Sequence, residues 1–186
     1  ETARRFCERF GAWGFDAGTM TPVYGLAENS VALAFPPLGE GLVVDRVERQ
    51  AMAATGRAVI ADADDATALE FVRSGRPIPG HEIRIVDEAG RELPNRRQGR
   101  LQFRGPSSTA GYFRNAEATA ELFDGDWLES GDLAYASGGD IFVTGRIKDI
   151  IIRAGRNIYP NELEETVGAL DGVHQGNVAV FGSADA

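Results

Sequence analysis

Apolar side chains recur at helical spacing at the head of the chain. Phe6, Phe10 and Trp13 would line one face of a helix over residues 1–13, ended by Gly11 or Gly14. Such a stripe is expected to face a core, and Cys7, set among the same rings, to be a buried thiol. From Ser74 onward the pattern shortens to period two. Ile83 and Ile85 fall on one face of a strand running from His81 to Asp87, and Leu101 and Phe103 on one face of a strand from Gly99 to Gly105. Glu88-Ala-Gly reads as the hairpin turn between them. Asn115 is placed to cap a helix over Ala116–Phe123, which is rich in alanine and glutamate. A further hairpin turns at Ser137-Gly-Gly-Asp140.

Two stretches are less regular. In residues 38–74, Gly39 to Asp45 opens a strand, Arg46 to Thr55 carries the mixed charge of a short helix, and Asp62-Ala-Asp-Asp is a polar turn. Ala66 to Val72 fits a strand or a helical turn equally. The whole segment reads as a loop-rich inserted excursion. In the last forty residues, Asp149-Ile-Ile-Ile-Arg reads as a buried strand and Ala154 to Pro160 as a loop. A helix follows with Asn161 as cap, Glu164 at its third position, and Leu163, Val167 and Leu170 facing a core. Asn177 to Gly182 is one more strand. That is the opening of a small α/β unit.

Composition narrows the function classes. The 186 residues are 43% hydrophobic and 25% charged, with a net charge of −9 and no basic run, which argues against nucleic acid and anionic membrane as partners. A single cysteine excludes an internal disulfide and suits a reducing compartment, here the cytoplasm. No apolar run approaches the roughly 18 residues of a membrane span. The chain starts without methionine or signal peptide, as a piece of something longer would.

The candidate chemistry lies in charged side chains set beside glycines. Ser130-Gly131-Asp132 and Thr144-Gly145-Arg146 read as tight turns bracketing a hairpin. A carboxylate accepts two ribose hydroxyls, and a guanidinium donates to hydroxyls or phosphate, so Asp132 and Arg146 can clamp a nucleotide. Either triplet alone is also what an ordinary surface turn carries. Upstream, Tyr24 offers a flat ring, Gly25 a close backbone approach, and Glu28 a carboxylate: a plate for a purine and a ligand for magnesium. His81 and His174 stand apart as ordinary polar residues, and no serine–histidine–acid arrangement is present.

These blocks, taken in order, resemble the adenylate-forming superfamily of acyl-CoA synthetases, peptide-synthetase adenylation domains and luciferases. The resemblance rests on Tyr24-Gly-Leu-Ala-Glu28, Ser74-Gly-Arg-Pro, Gly111-Tyr-Phe, Trp127-Leu-Glu-Ser-Gly-Asp132, Gly145-Arg-Ile-Lys-Asp149 and Gly155-Arg-Asn-Ile-Tyr-Pro-Asn-Glu-Leu-Glu164. It is narrowest to the fatty acyl-AMP ligases. The long stretch between Glu28 and Ser74 resembles the insertion that restrains the C-terminal domain in that branch. Ala27, Asn157-Ile-Tyr-Pro and Phe71-Val-Arg-Ser-Gly-Arg-Pro also suit it.

The resemblance implies a reaction and roles. A fatty acid carboxylate attacks the α-phosphate of ATP with Mg2+, giving acyl-adenylate and pyrophosphate, and the acyl group passes to an acyl carrier protein with little use of free CoA. Tyr24, with Gly25 beside it, would stack on adenine, Glu28 would help hold magnesium, Asp132 would bind both ribose hydroxyls, and Arg146 would contact the ribose. Lys148 would be the hinge of the C-terminal domain, whose Arg153 to Pro160 loop swings into the site for the second half-reaction. The implied fold is mixed α/β (α+β). Residues 1–146 end a large adenylation domain, with an insertion over 38–74 and a small distorted β-barrel over 75–146, and residues 147–186 begin the mobile C-terminal domain. The glycine-rich phosphate loop and the late catalytic lysine lie outside these residues, so the piece alone is expected to be inactive. The alternatives are an acyl-CoA synthetase and, in another class, a non-catalytic adenylation-like domain for ligand sensing or protein contact.

Overall fold

The computed structural model describes residues 2–149, 151–153, 156–158, 160–174 and 176–182. A mixed α/β chain wraps around one curled antiparallel sheet of half-barrel form. The elements run in order as α1 (Thr2–Gly11), β1 (Ala34–Phe35), β2 (Val44–Val47), α2 (Arg49–Thr55), β3 (Leu69–Pro77), β4 (Glu82–Val86) and β5 (Gly99–Arg104). There follow α3 (Ala116–Leu122), β6 (Phe123–Asp124), β7 (Trp127–Ser137), β8 (Asp140–Arg146), β9 (Ile151–Arg153), β10 (Arg156–Ile158) and α4 (Pro160–Gly168). The main sheet has eight strands in the order β1-β3-β8-β7-β5-β4, with β2 pairing β3 and β6 pairing β7, while β9 and β10 form a separate hairpin. Among the described residues no helix is long and apolar enough to cross a membrane.

Alternation places the core. Leu101 and Phe103 are fully buried, Ile85 nearly so, and with Leu33, Leu122, Leu128 and Ile141 they form one cluster against which Ile83 packs. Burying each such side chain contributes about 1.5–3 kcal/mol. A second cluster joins the 38–74 segment to the sheet: Val47 of β2, Met52 of α2 and Leu69 of β3 meet Tyr135 and Phe142. Tyr135 stacks on Phe142 at 5.1 Å and 6°, and meets Phe71 edge-on at 5.9 Å. Its hydroxyl donates to Asp45 Oδ2 at 2.6 Å, the partner a buried phenol requires. Asn115 caps α3 by accepting from the Ala118 N–H at 3.0 Å, and the β7–β8 turn falls at Ser137–Asp140, with Gly138 and Gly139 at φ 62° and 89°.

Several expectations are corrected. Ala66–Val72, which fitted strand or helical turn equally, contributes to β3 from Leu69 on, and the strand and helix expected in the 38–74 segment are β2 and α2, the latter carrying a buried methionine. The Phe6–Phe10–Trp13 stripe is exposed, Trp13 at 86%, and Cys7 is half-buried, because α1 has no layer of the described residues against that face. Leu163, Val167 and Leu170 are likewise exposed. Asn177–Gly182 forms no strand, since the described residues offer no strand for it to pair with. The loop expected after Arg153 includes β10, paired antiparallel to β9. Ile150, Ala154, Gly155, Tyr159 and the capping side chain of Asn161 lie outside the described residues.

Candidate functional site

The two glycine triplets are strand positions, not turns. Gly131, at φ 77°, sits in a bulge of β7. Gln102 and Arg100 of β5 face Glu129 and Leu133, so the β7 side holds extra residues. Thr144 bulges from β8 between the pairs Leu133↔Gly145 and Ala134↔Val143. Its hydroxyl donates to Leu133 O at 3.1 Å and accepts from Gln98 Nε2 at 2.7 Å. These irregularities rotate the strand ends so that Asp132 and Arg146 become direct cross-strand partners. Ser130 Oγ donates to Leu101 O at 2.7 Å and accepts from the Asp132 N–H at 3.1 Å, which fixes the bulge.

A second element reaches this strand end from the front of the chain. Tyr24 and Ala34 bridge through N–H···O bonds of 3.0 and 2.9 Å, closing the loop between them. The loop holds a one-turn 3-10 helix, Ala27–Asn29, followed by Ser30 and Val31 at φ 51° and 80°. A β-branched residue at positive φ is strained and survives only where its surroundings enforce it. The enforcement is visible: a Cβ at Gly25 would lie 1.4 Å from Val31 O, so the two backbones cross in contact. Asn29 is fully buried, donating to Ala32 O at 2.6 Å and accepting from Ser108 Oγ at 3.0 Å. Thr109 N–H donates to Glu28 O at 2.7 Å and Ser30 Oγ to Ser107 O at 3.1 Å. The loop is thereby laced to the 107–109 segment.

Tyr24, Asp132 and Arg146 come together. The Tyr24 hydroxyl donates to Asp132 Oδ2 at 2.6 Å, and Arg146 Nε lies 3.4 Å from Oδ1. Asp132 is 7% exposed, whereas the Arg146 side chain is 72% exposed. Burial, then the bond to the Asp132 carboxylate, pushes the Tyr24 phenol far above its ordinary range, so it stays a proton donor. An ionised carboxylate has about four acceptor sites. Asp132 therefore retains acceptor capacity beyond its present partners.

Glu28 is held separately, accepting from the Tyr112 hydroxyl at 2.7 Å. That bond, more than burial, pushes the Tyr112 phenol up. Among the described residues no three metal-binding side chains cluster. Glu28 alone suits a magnesium ion that keeps its waters and is carried mainly by phosphate oxygens. Lys148 stands exposed in the 3-10 turn Ile147–Asp149, two residues past Arg146. Sequence reasoning missed Tyr112 as the partner of Glu28 and Asn29 as the anchor of the loop. The aromatic after Gly111 was the available signal for the first, and a buried asparagine leaves none.

A profile described as AMP-binding enzyme matches residues 1–113. A protein of Caulobacter vibrioides, provisionally assigned as an acyl-CoA synthetase, is 37% identical over 180 residues, covering 96% of this chain and 32% of that protein. The long-chain-fatty-acid–AMP ligase FadD26 of Mycobacterium tuberculosis is 34% identical over 192 residues, covering 96% of this chain and 33% of its own length. A solved structure from studies of fatty acyl-adenylate ligases of E. coli and L. pneumophila superposes with a TM-score of 0.91 at 38% identity, over 98% of this chain and 33% of that one. The McyG A-PCP structure complexed with phenylalanyl-adenylate superposes at 0.76 with 34% identity, over 99% of this chain and 29% of that one. The chain spans about a third of the length of the curated relatives it matches.

Proposed function

This chain belongs to the AMP-binding enzymes, the adenylate-forming ligases, and from that membership we propose that it is part of a fatty acid-activating ligase. The carboxylate of a fatty acid attacks the α-phosphorus of ATP. Pyrophosphate leaves, and the acyl-adenylate then delivers its acyl group to the thiol of an acyl carrier protein, releasing AMP. The observation that carries the reading is the convergence of Tyr24, Asp132 and Arg146 at one strand end, beside a strained loop that bears Glu28.

In this reading Asp132 accepts the ribose hydroxyls, with its orientation fixed by Tyr24 and the Ser130 bulge. Tyr24 presents its ring to the adenine, and Gly25 lets the base approach the backbone. Arg146 donates to the sugar from the solvent side. Glu28 binds a water-coordinated Mg2+, which offsets charge on the phosphates. Residues 1–146 end the large domain, with 38–74 inserted in it and 75–146 forming the barrel-like part, and residues 147–186 begin the mobile domain, turning at Lys148. The packing of β10 beside α2 supports a restraining role for the inserted segment. Activity requires the phosphate loop and the late lysine outside these residues, so the 186 residues alone are inactive. A single half-buried cysteine suits a cytoplasmic protein.

The Caulobacter relative favours a second reading, in which CoA is the acyl acceptor. The test uses the intact protein with ATP, Mg2+, a series of fatty acids and CoA, with products resolved by mass. Acyl-adenylate accumulating while CoA is untouched is the expected result. Efficient acyl-CoA formation replaces the carrier-protein reading with the CoA one, and absence of any adenylate overturns both.

A further inference from the structure

The β7–β8 hairpin has two ends, and only one carries the nucleotide site. At the other, where Arg96 bonds Ala136 O and Ser137 Oγ, a cavity of about 620 Å³ opens between residues 57–60 and 94–97. Its walls include Arg57, Arg96, Arg97, Val59, Ile60 and Pro94. Arg57 and Arg97 are antiparallel bridge partners. The flanking bonds, Ala58 N–H to Arg96 O at 3.0 Å and Gln98 N–H to Gly56 O at 2.8 Å, make them a non-hydrogen-bonded pair. In such pairs the side chains approach most closely, and like charges directly opposite are destabilising.

Among the described residues neither the Arg57 nor the Arg97 side chain makes a hydrogen bond or ion pair. On the sheet, by comparison, Arg46, Arg73, Arg84, Arg100 and Arg104 are ion-paired. Arg96 is different again, because it builds the floor. Held at φ 62°, it donates from its backbone to Ala136 O at 2.8 Å, from Nε to Ala58 O at 2.5 Å and from Nη2 to Asp45 Oδ2 at 3.0 Å. Its charge is neutralised there, while the two arginines above it are not. Beside them Ile60 is 68% exposed, an apolar wall with no cover.

We propose that this cavity is a binding site for a phosphate monoester carried on an apolar group, distinct from the nucleotide site. Two unpaired guanidiniums match a phosphate dianion in charge, and each can donate a pair of hydrogen bonds to its oxygens. A carboxylate would neutralise only one of them. Val59, Ile60 and Pro94 would take the apolar part of the ligand.

The test is calorimetric titration of the intact protein with inorganic phosphate, hexyl phosphate and a phosphoserine peptide flanked by leucines. Saturable binding of hexyl phosphate is expected, weakened about tenfold or more for each arginine removed in Arg57→Gln and Arg97→Gln. Ile60→Ser should weaken hexyl phosphate and leave inorganic phosphate unchanged. Tighter binding of the peptide than of hexyl phosphate assigns the ligand to a phosphorylated protein, and the reverse assigns it to a small ester. Phosphate held at the Asp132 end survives the double substitution and is separated in that way. Both variants should melt at or above the wild-type temperature without phosphate, because they remove a repulsion, and should lose the rise that phosphate gives the wild type. Unchanged affinity in the double variant, or no saturable heat with any probe, overturns the site.

Discussion

The Tyr24 hydroxyl donates to Asp132 Oδ2 at 2.6 Å, although 108 residues separate the two in sequence. One comes from the rim of a strained loop and the other from a bulged strand, so the bond joins the two elements that form the candidate nucleotide site. Because Asp132 is nearly buried, the phenol both orients the carboxylate and satisfies one of its oxygens.

Tyr24→Phe keeps the ring and removes that donor. It should lower stability by about 1–2 kcal/mol and, if the proposed site binds nucleotide, raise the KM for ATP in the intact protein while leaving the ring itself in place. Denaturant unfolding and ATP-dependent pyrophosphate exchange measure the two effects. An unchanged KM would separate the bond from nucleotide recognition.

Alkaline pH provides a second handle on the same bond. The phenols of Tyr24 and Tyr135 are raised by burial first and then by their carboxylate partners. The unfolded chain ionises these groups near pH 10, whereas the folded chain keeps them protonated. Stability is therefore full below about pH 10 and falls above it, by about 1.4 kcal/mol per pH unit for each such tyrosine. Tyr135→Phe should flatten that slope in unfolding titrations between pH 10 and 11.

Gly25→Ala should be far more damaging than an exposed glycine ordinarily suggests. The added Cβ would fall 1.4 Å from Val31 O, inside the backbone crossing that holds the loop shut. The loop would have to open, at a cost of about 3 kcal/mol or more, taking Tyr24 away from Asp132. Thermal melting and a lost nucleotide response together report this. Gly11→Ala, with open space around its Cβ, is the control.

Glu28→Gln should separate fold from metal chemistry. A glutamine still accepts from the Tyr112 hydroxyl, so stability should stay within about 0.5 kcal/mol of wild type. The lost charge should raise the Mg2+ concentration needed for half-maximal adenylation. A shift in melting temperature without a shift in Mg2+ dependence would make Glu28 a purely structural residue.

Much of the sheet was legible from alternation, as Ile85, Leu101 and Phe103 show, and the Asn115 cap and the Ser137–Asp140 turn followed from local chemistry. The bulges at Gly131 and Thr144 were not legible. A glycine signals a backbone able to take positive φ, but only the register of a neighbouring strand decides between a turn and a bulge. Asp132 and Arg146 stand opposite each other across β7 and β8 through these bulges, not through the turns that the two glycines suggest. The apolar stripes on α1 and α4 predict core-facing helices, yet a stripe records only that a face wants cover, and among the described residues these faces stay largely open. The polar sheet face escaped notice too: buried Gln102 bonds Asp124, Glu129 and Arg84, while Trp127 lies between Arg84 and Arg104 at 4.4 and 4.5 Å.

In the proposed reading, the packing of α2 would link the 38–74 segment to acceptor choice. Met52, 1% exposed, is the buried anchor of α2 on the Tyr135–Phe142 cluster, and β10 lies against the same helix. Met52→Ala should cost about 2–4 kcal/mol through the cavity it leaves and loosen the seat of β10. If that seat restrains the C-terminal residues, the variant assayed well below its melting temperature should form more acyl-CoA for each acyl-adenylate made. Plain destabilisation lowers both products in parallel and leaves their ratio unchanged. The ratio therefore reads the restraint itself, and its constancy would reduce α2 to a packing element of the sheet.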